Sequence, residues 1–190
     1  MNVSTLQRRN IMVAPAPMWT IDPDHSTISF SVKYMMITTV HGRFDSFRGR
    51  IKLDLDRPDN AAVEVEIDAD SINTGIGARD THLRSADFFD VERYPKATFR
   101  STSIESNGGR FVIAGELTIR GITRSLSLRA KYLGSGINPS GVEVAGFEAT
   151  GKLNRKDFGL NWNQALESGG VLVSDEVKLT ITIEAARIAL

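Results

Sequence analysis

The stretch TGIGARDTHLRSADFFDVERYP, from Thr74 to Pro95, holds three aspartates (Asp80, Asp87, Asp90), one histidine (His82) and three arginines (Arg79, Arg84, Arg93). Side chains of these types ligate metals and exchange protons, so a carboxylate–histidine metal site or acid–base catalysis is the chemistry to test first. Either needs several of the groups to converge on one point, and the local backbone decides whether they do. With Thr74 as N-cap, Ile76 to Asp87 has little β-branched character beyond Thr81 and reads as a short helix. At 3.6 residues per turn, positions two apart diverge by about 200°, so Asp80 and His82 point to opposite sides. Asp80 stands four residues before Arg84, the order of a helix-stabilising ion pair, and Phe88-Phe89 follows as an apolar anchor. The expected reading is a short helix pinned by aromatics with a charged outer face, neither catalytic nor metal-binding.

Other catalytic-looking words lack their context. Asp157-Phe158-Gly159 spells the kinase metal-binding triplet without a Gly-rich loop, strand lysine or catalytic loop. Gly75-x-Gly77 lacks the third glycine of a dinucleotide fingerprint. His41-Gly42 falls at a turn, and His25-Ser26 has no partner aspartate readable from sequence.

The scaffold that must position these residues is read from the rest of the chain. A length of 190 residues suits one domain. Lys+Arg 23 against Asp+Glu 23 gives a formal net charge of +0, so no overall field draws the chain to nucleic acid. With no cysteine, disulfides and thiolate ligands are excluded, and with His 3 any metal site would rest mostly on carboxylates. No apolar run approaches the ~20 residues of a membrane-spanning helix. Near the start, Pro15 and Pro17 break the apolar stretch after Arg8-Arg9 before it reaches signal-peptide length. Residues 1–17 are therefore expected to be a flexible tail on a cytoplasmic protein, with 18–190 as the folded domain.

From Trp19 the dominant period is two, the mark of half-buried strands. Ile28, Phe30, Val32 and Tyr34 share one face against Thr27, Ser29, Ser31 and Lys33. Val63, Val65 and Ile67 oppose Glu64 and Glu66, and Val177, Leu179, Ile181 and Ile183 oppose Lys178, Thr180 and Thr182. Asn107-Gly108-Gly109 and Arg120-Gly121 have the composition of tight hairpin turns, implying antiparallel neighbours. About eight to nine such runs and one helix leave a closed barrel or a sandwich, which period alone does not separate.

Four segments then carry a resemblance: WTIDPDHSTISFSVKYMMITTVHGRFDSFRGRI, SINTGIGARDTHLRSADFFDVERYPKATF, GELTIRGITRSLSL and GKLNRKDFGLNWNQALESGGVLVSDEVKLTITIEA. Together, in this order, they closely resemble the YceI-like lipid/polyisoprenoid-binding family. The resemblance implies an all-β, lipocalin-like closed antiparallel barrel of about eight strands with a short covering helix, often a homodimer. It also implies a polyisoprenoid or fatty-acid-like ligand in the lumen and no other cofactor. Many family members carry His where this chain has Tyr34, after a basic residue matched by Lys33, so head-group recognition at that position does not carry over.

On this reading the protein is a non-enzymatic carrier, store or buffer of a long apolar ligand. The candidate wall residues are Phe30, Val32, Tyr34, Met36, Phe88, Phe89, Phe99, Phe111, Phe147 and Trp162, although any of them would equally serve an ordinary core. Lys33, Arg79 and Arg84 are the head-group candidates. Two alternatives stand beside it: a lipid-acting hydrolase or isomerase using Asp80, His82 or Asp87, which needs tertiary contacts to unite them, and an interaction module with a filled core.

Overall fold

A computed structural model describes residues 16–54, 60–167 and 169–188. Residues 1–15 of the expected tail lie outside the described residues. Pro17 is already bonded to the barrel, its carbonyl accepting from Leu53 N at 3.0 Å.

The period-two segments form strands: β1 (Met18–Tyr34), β2 (Thr38–Phe44), β3 (Phe47–Lys52), β4 (Ala62–Asp68), β5 (Ile72–Asn73), β6 (Lys96–Asn107), β7 (Arg110–Ile119), β8 (Ile122–Ile137), β9 (Glu143–Asn154) and β10 (Val173–Arg187). All pairings are antiparallel, running β10-β9-β8-β7-β6-β4-β3-β1, and β10 pairs back with β1 to close a ring of eight. β2 and β5 continue β3 and β4 past a bend. β1 pairs with β3 through Met18–Thr20 and with β2 through Ile28–Tyr34, and β2 pairs in turn with β5. Closure pairs each of these eight strands on both sides and settles barrel over sandwich.

The turns follow their glycines. Gly108 and Gly109, at φ of 57° and 79°, join β6 to β7, while Arg120 and Gly121, at 51° and 71°, join β7 to β8. These left-handed values match the right-handed twist of the flanking strands. Strand parity from Ile28 is as the alternation implies, with Ile28, Phe30 and Val32 facing inward, and Trp19, Ile21 and Ile28 of β1 join Leu117, Leu126 and Leu128 in one core. Trp19 also donates its indole N–H to Leu53 O at 2.9 Å.

The connection from β5 to β6 holds the expected helix, α1 (Gly77–Arg84). It is shorter than the Ile76–Asp87 run, and its N-cap is Ile76, not Thr74. Beyond Arg84 the chain turns sharply, with Phe88 N bonded to Ser85 O and Asp90 at a φ of 50°. This segment and the connection from β9 to β10 cover the barrel end at which β6 begins and β7 finishes.

Candidate functional site

Inside the barrel is a cavity of about 250 Å³. A single water needs roughly 10–15 Å³ by the same measure, so this is a lumen and not a packing void. Its wall is built by the inward positions of each strand, Val63 and Val65 of β4 or Leu179 and Ile181 of β10, for example. Gly42, Gly49, Gly115 and Gly151 all stand at inward positions, and at two of them a phenyl ring fills the space. A Cβ at Gly42 would stand 2.4 Å from Phe30 Cζ, and one at Gly115 would stand 2.5 Å from Phe99 Cζ. Each phenyl ring thus occupies the space over a glycine of the neighbouring strand. Phe30 also meets Phe44 at 5.7 Å between ring centroids, and Phe44 meets Phe89 of the cap edge to face at 5.8 Å.

The wall is apolar throughout. Among the described residues Arg155 is its one polar member and contributes only the aliphatic stem. The Arg155 guanidinium turns away from the lumen, donating from Nε to Ser174 O at 3.0 Å and from Nη1 to Leu160 O at 2.5 Å and Trp162 O at 2.8 Å. Burial pulls its pKa below the ordinary arginine value, opposed by Asp175, whose buried Oδ1 stands 3.6 Å from Nη2. The cation fastens the β9–β10 connection against the barrel end. Sequence reading passed over it because Asn154-Arg155-Lys156-Asp157 looks like a solvated charge run. The adjoining Asp157-Phe158-Gly159 is structural too: Phe158 is 2% exposed and Gly159 ends a 3-10 turn at a φ of 75°.

The Thr74–Pro95 cluster builds the lid over this lumen. Asp80, 7% exposed, accepts from Thr74 N at 2.9 Å and from Thr74 Oγ1 at 2.5 Å. Arg84 donates to Asp70 O at 2.6 Å and Ile72 O at 2.8 Å. The expected Asp80–Arg84 pair is therefore corrected, because unpaired backbone groups of the loop claim both side chains. Arg79 likewise donates to Thr74 Oγ1 and Thr74 O at 2.7 and 2.8 Å. As head-group candidates Arg79 and Arg84 are spent on their own loop, and Lys33 is exposed on the outer face.

His82 corrects a second expectation. Its Nε2 lies 2.8 Å from Asp87 Oδ2, a pairing that helix geometry disallowed but the turn after Arg84 permits. The imidazole is packed edge-on against Phe88 and Trp162, at 5.1 and 4.8 Å. On β1 His25 is paired as well, its Nδ1 2.9 Å from Asp22 Oδ2 and 3.8 Å from Glu184 Oε1. The hydrogen bond between them raises the His25 pKa and lowers that of Asp22. The irregularity of β1 between Asp22 and Thr27 brings these groups together, which strict alternation would not show.

Of the wall candidates, Phe30 and Val32 of β1, Phe88 and Phe89 of the lid, Phe99, Phe111 and Phe147 line the lumen. Trp162 does not, since it stacks behind Phe88 at 5.4 Å. Tyr34 and Met36, 39% and 66% exposed, lie beyond the rim, where β1 has left the barrel and the chain reverses. Choosing aromatics missed the aliphatic majority of the wall, such as Ile51 and Ile183, although the alternation itself marks them.

The YceI-like domain model matches residues 19–185, nearly the whole barrel. The chain belongs to the YceI-like family. A UPF0312 protein of Staphylococcus aureus (strain bovine RF122 / ET3-1) is 37% identical over 167 residues, covering 87% of this chain and 95% of the relative. Two solved structures share the YceI-like fold. Burkholderia cenocepacia BcnA superposes with a TM-score of 0.76 at 23% identity, over 86% of this chain and 98% of its own. A polyisoprenoid binding domain from Saccharophagus degradans does so with a TM-score of 0.63 at 17% identity, over 92% and 100%. Family membership and the hollow barrel thus rest on the same residues, 19–185.

Proposed function

We propose that the protein holds one long apolar chain, a polyisoprenoid or a fatty-acyl amphiphile, in its lumen and serves as a carrier, store or buffer of that lipid. The observation that carries this reading is a wall apolar from Val32 and Val173 beneath the lid to Phe111 and Phe147 near the far end. A tail threaded along it gains roughly 25 cal/mol for each Å² withdrawn from water, and meets no buried polar group that would need a partner. The description of the Saccharophagus degradans domain as polyisoprenoid binding supports the same ligand class.

Native mass spectrometry of the purified protein, followed by organic extraction, tests it. The expected result is a co-purified long-chain lipid, or saturable uptake of polyprenyl or fatty-acyl probes. Empty protein that refuses every such probe overturns the reading. A lipid-acting enzyme is favoured by one observation, the His82–Asp87 contact. It predicts turnover of the bound lipid that His82→Ala abolishes, whereas a carrier keeps its binding within a few-fold in that variant.

A further inference from the structure

At the tip of the β1–β2 hairpin stand Tyr34, Met35, Met36 and Ile37, all exposed, Ile37 by 76%. Met35 and Met36 adopt φ of 52° and 58°, left-handed values that side chains with a Cβ disfavour. The tip is nonetheless fixed: Met35 N donates to Leu172 O at 2.7 Å and Ile37 N to Tyr34 O at 3.1 Å. Val171, also exposed, adjoins the first of these bonds. Tyr34 pairs with Val173, and Val173 and Val32 belong to the lumen wall. The exposed apolar patch is therefore continuous with the lumen wall at this end of the barrel.

Immediately behind it the outer face is basic. Ser31 is the register partner of both His41 on β2 and Lys178 on β10, and Lys33 is two residues nearer the tip. Among the described residues, the side chains of Lys33, His41 and Lys178 have no hydrogen-bond or ion-pair partner. The two carboxylates between the tip and Lys178 on β10 are already paired, Glu176 with Lys152 and Asp175 with Lys156. Apolar side chains leading and cations following is the order in which a protein meets an anionic lipid surface. A ligand held by its tail alone also has to come from an apolar phase, since its free concentration in water is negligible.

We infer that this tip is a membrane-docking element. Tyr34 to Ile37 enter the interface of an anionic bilayer while Lys33 and Lys178 meet its phosphates, which sets this end of the lumen against the lipid. The inference rests on the lumen being a lipid site, and the experiment reads the two separately. The full chain is sedimented with phosphatidylcholine vesicles with and without phosphatidylglycerol, its loading with a water-soluble short-chain fluorescent fatty-acyl probe is measured, and its oligomeric state is recorded.

Wild type should bind the anionic vesicles and be released by salt. Met36→Asp combined with Ile37→Asp should weaken this at least about tenfold, and aspartate tolerates the left-handed backbone at 36, so folding survives. Lys33→Gln with Lys178→Gln should lose a few-fold together with the salt dependence. All variants should load the soluble probe as wild type does. The inference fails if wild type ignores the vesicles or the aspartate variant binds them equally well. It fails equally if wild type self-associates through the tip and the aspartate variant separates the copies. Failure of probe loading in wild type sinks the lipid-site reading while leaving the vesicle result to stand.

Discussion

The β1–β2 and β6–β7 hairpins solve the same problem with different residues. Each lays an inward phenylalanine over a glycine, Phe30 over Gly42 and Phe99 over Gly115, and each reverses through a left-handed tip. At β6–β7 glycines occupy that tip and Phe99 is 7% exposed, so backbone preference and burial agree. At β1–β2 two methionines hold nearly the same φ values, and Phe30 is half-buried at the lumen. Where glycine would do the turning at no steric cost, retaining two large apolar side chains points to a use for the side chains themselves. One hairpin is wall; the other is wall and exposed apolar tip.

The largest effect that separates the two hairpins comes from charge placed in the lumen. Phe30→Glu must stay protonated, which at neutral pH costs about 3–4 kcal/mol for a carboxyl of ordinary pKa near 4.3, or else it abolishes lipid uptake. Ser31→Glu, on the outer face, should stay within about 0.5 kcal/mol. Chemical denaturation and probe binding on both variants check this, and equal tolerance would mean that β1 is not a wall strand.

Glycine substitutions come next. An alanine Cβ at Gly115 meets Arg100 O at 2.6 Å as well as the Phe99 ring, and backbone cannot swing aside, so Gly115→Ala should cost about 1–3 kcal/mol. At Gly42 the nearest atoms all belong to the Phe30 ring, which can rotate into the lumen. Gly42→Ala should therefore cost less stability and more ligand affinity. Paired melting and probe-binding curves that rank the two glycines the other way would break the comparison.

Replacing Met36 by glycine should relieve up to about 1 kcal/mol of backbone strain, raising Tm by roughly 2–4 °C in a protein of this size. A fall in Tm would show that the methionine packs.

The smallest effect is on the outer face, in the His25–Asp22 pair. His25 is raised above 6.5 and Asp22 lowered below 3.8. Their mutual stabilisation is thus complete between the free aspartate and free histidine values, 3.8 and 6.5. It fades as pH rises through the raised His25 pKa, and fades again as pH falls through the lowered Asp22 pKa. His25→Ala should flatten the stability profile across both ranges, which melting curves across pH would record.

Much of the barrel was legible because burial on one face of a strand imposes a period of two that residue types report directly. Ile28 to Val32, Val63 to Ile67 and Val177 to Ile183 announced their inward faces, and Gly108-Gly109 and Arg120-Gly121 announced their turns. These are local properties, fixed by the pleat and by which residues tolerate a positive φ. Closure of the ring, the pairing of His82 with Asp87, the burial of Arg155 and the exposure of Met36 were decided only by the tertiary structure. Each depends on more than a single strand or helix can show: strands far apart in sequence meeting, the chain turning after Arg84, or β1 leaving the barrel. A histidine finds its aspartate because the chain turns after Arg84, and an arginine is buried because Leu160, Trp162 and Ser174 offer it carbonyls. Residue type states what a side chain can do; only the arrangement of strands around the lumen determines what is left within its reach.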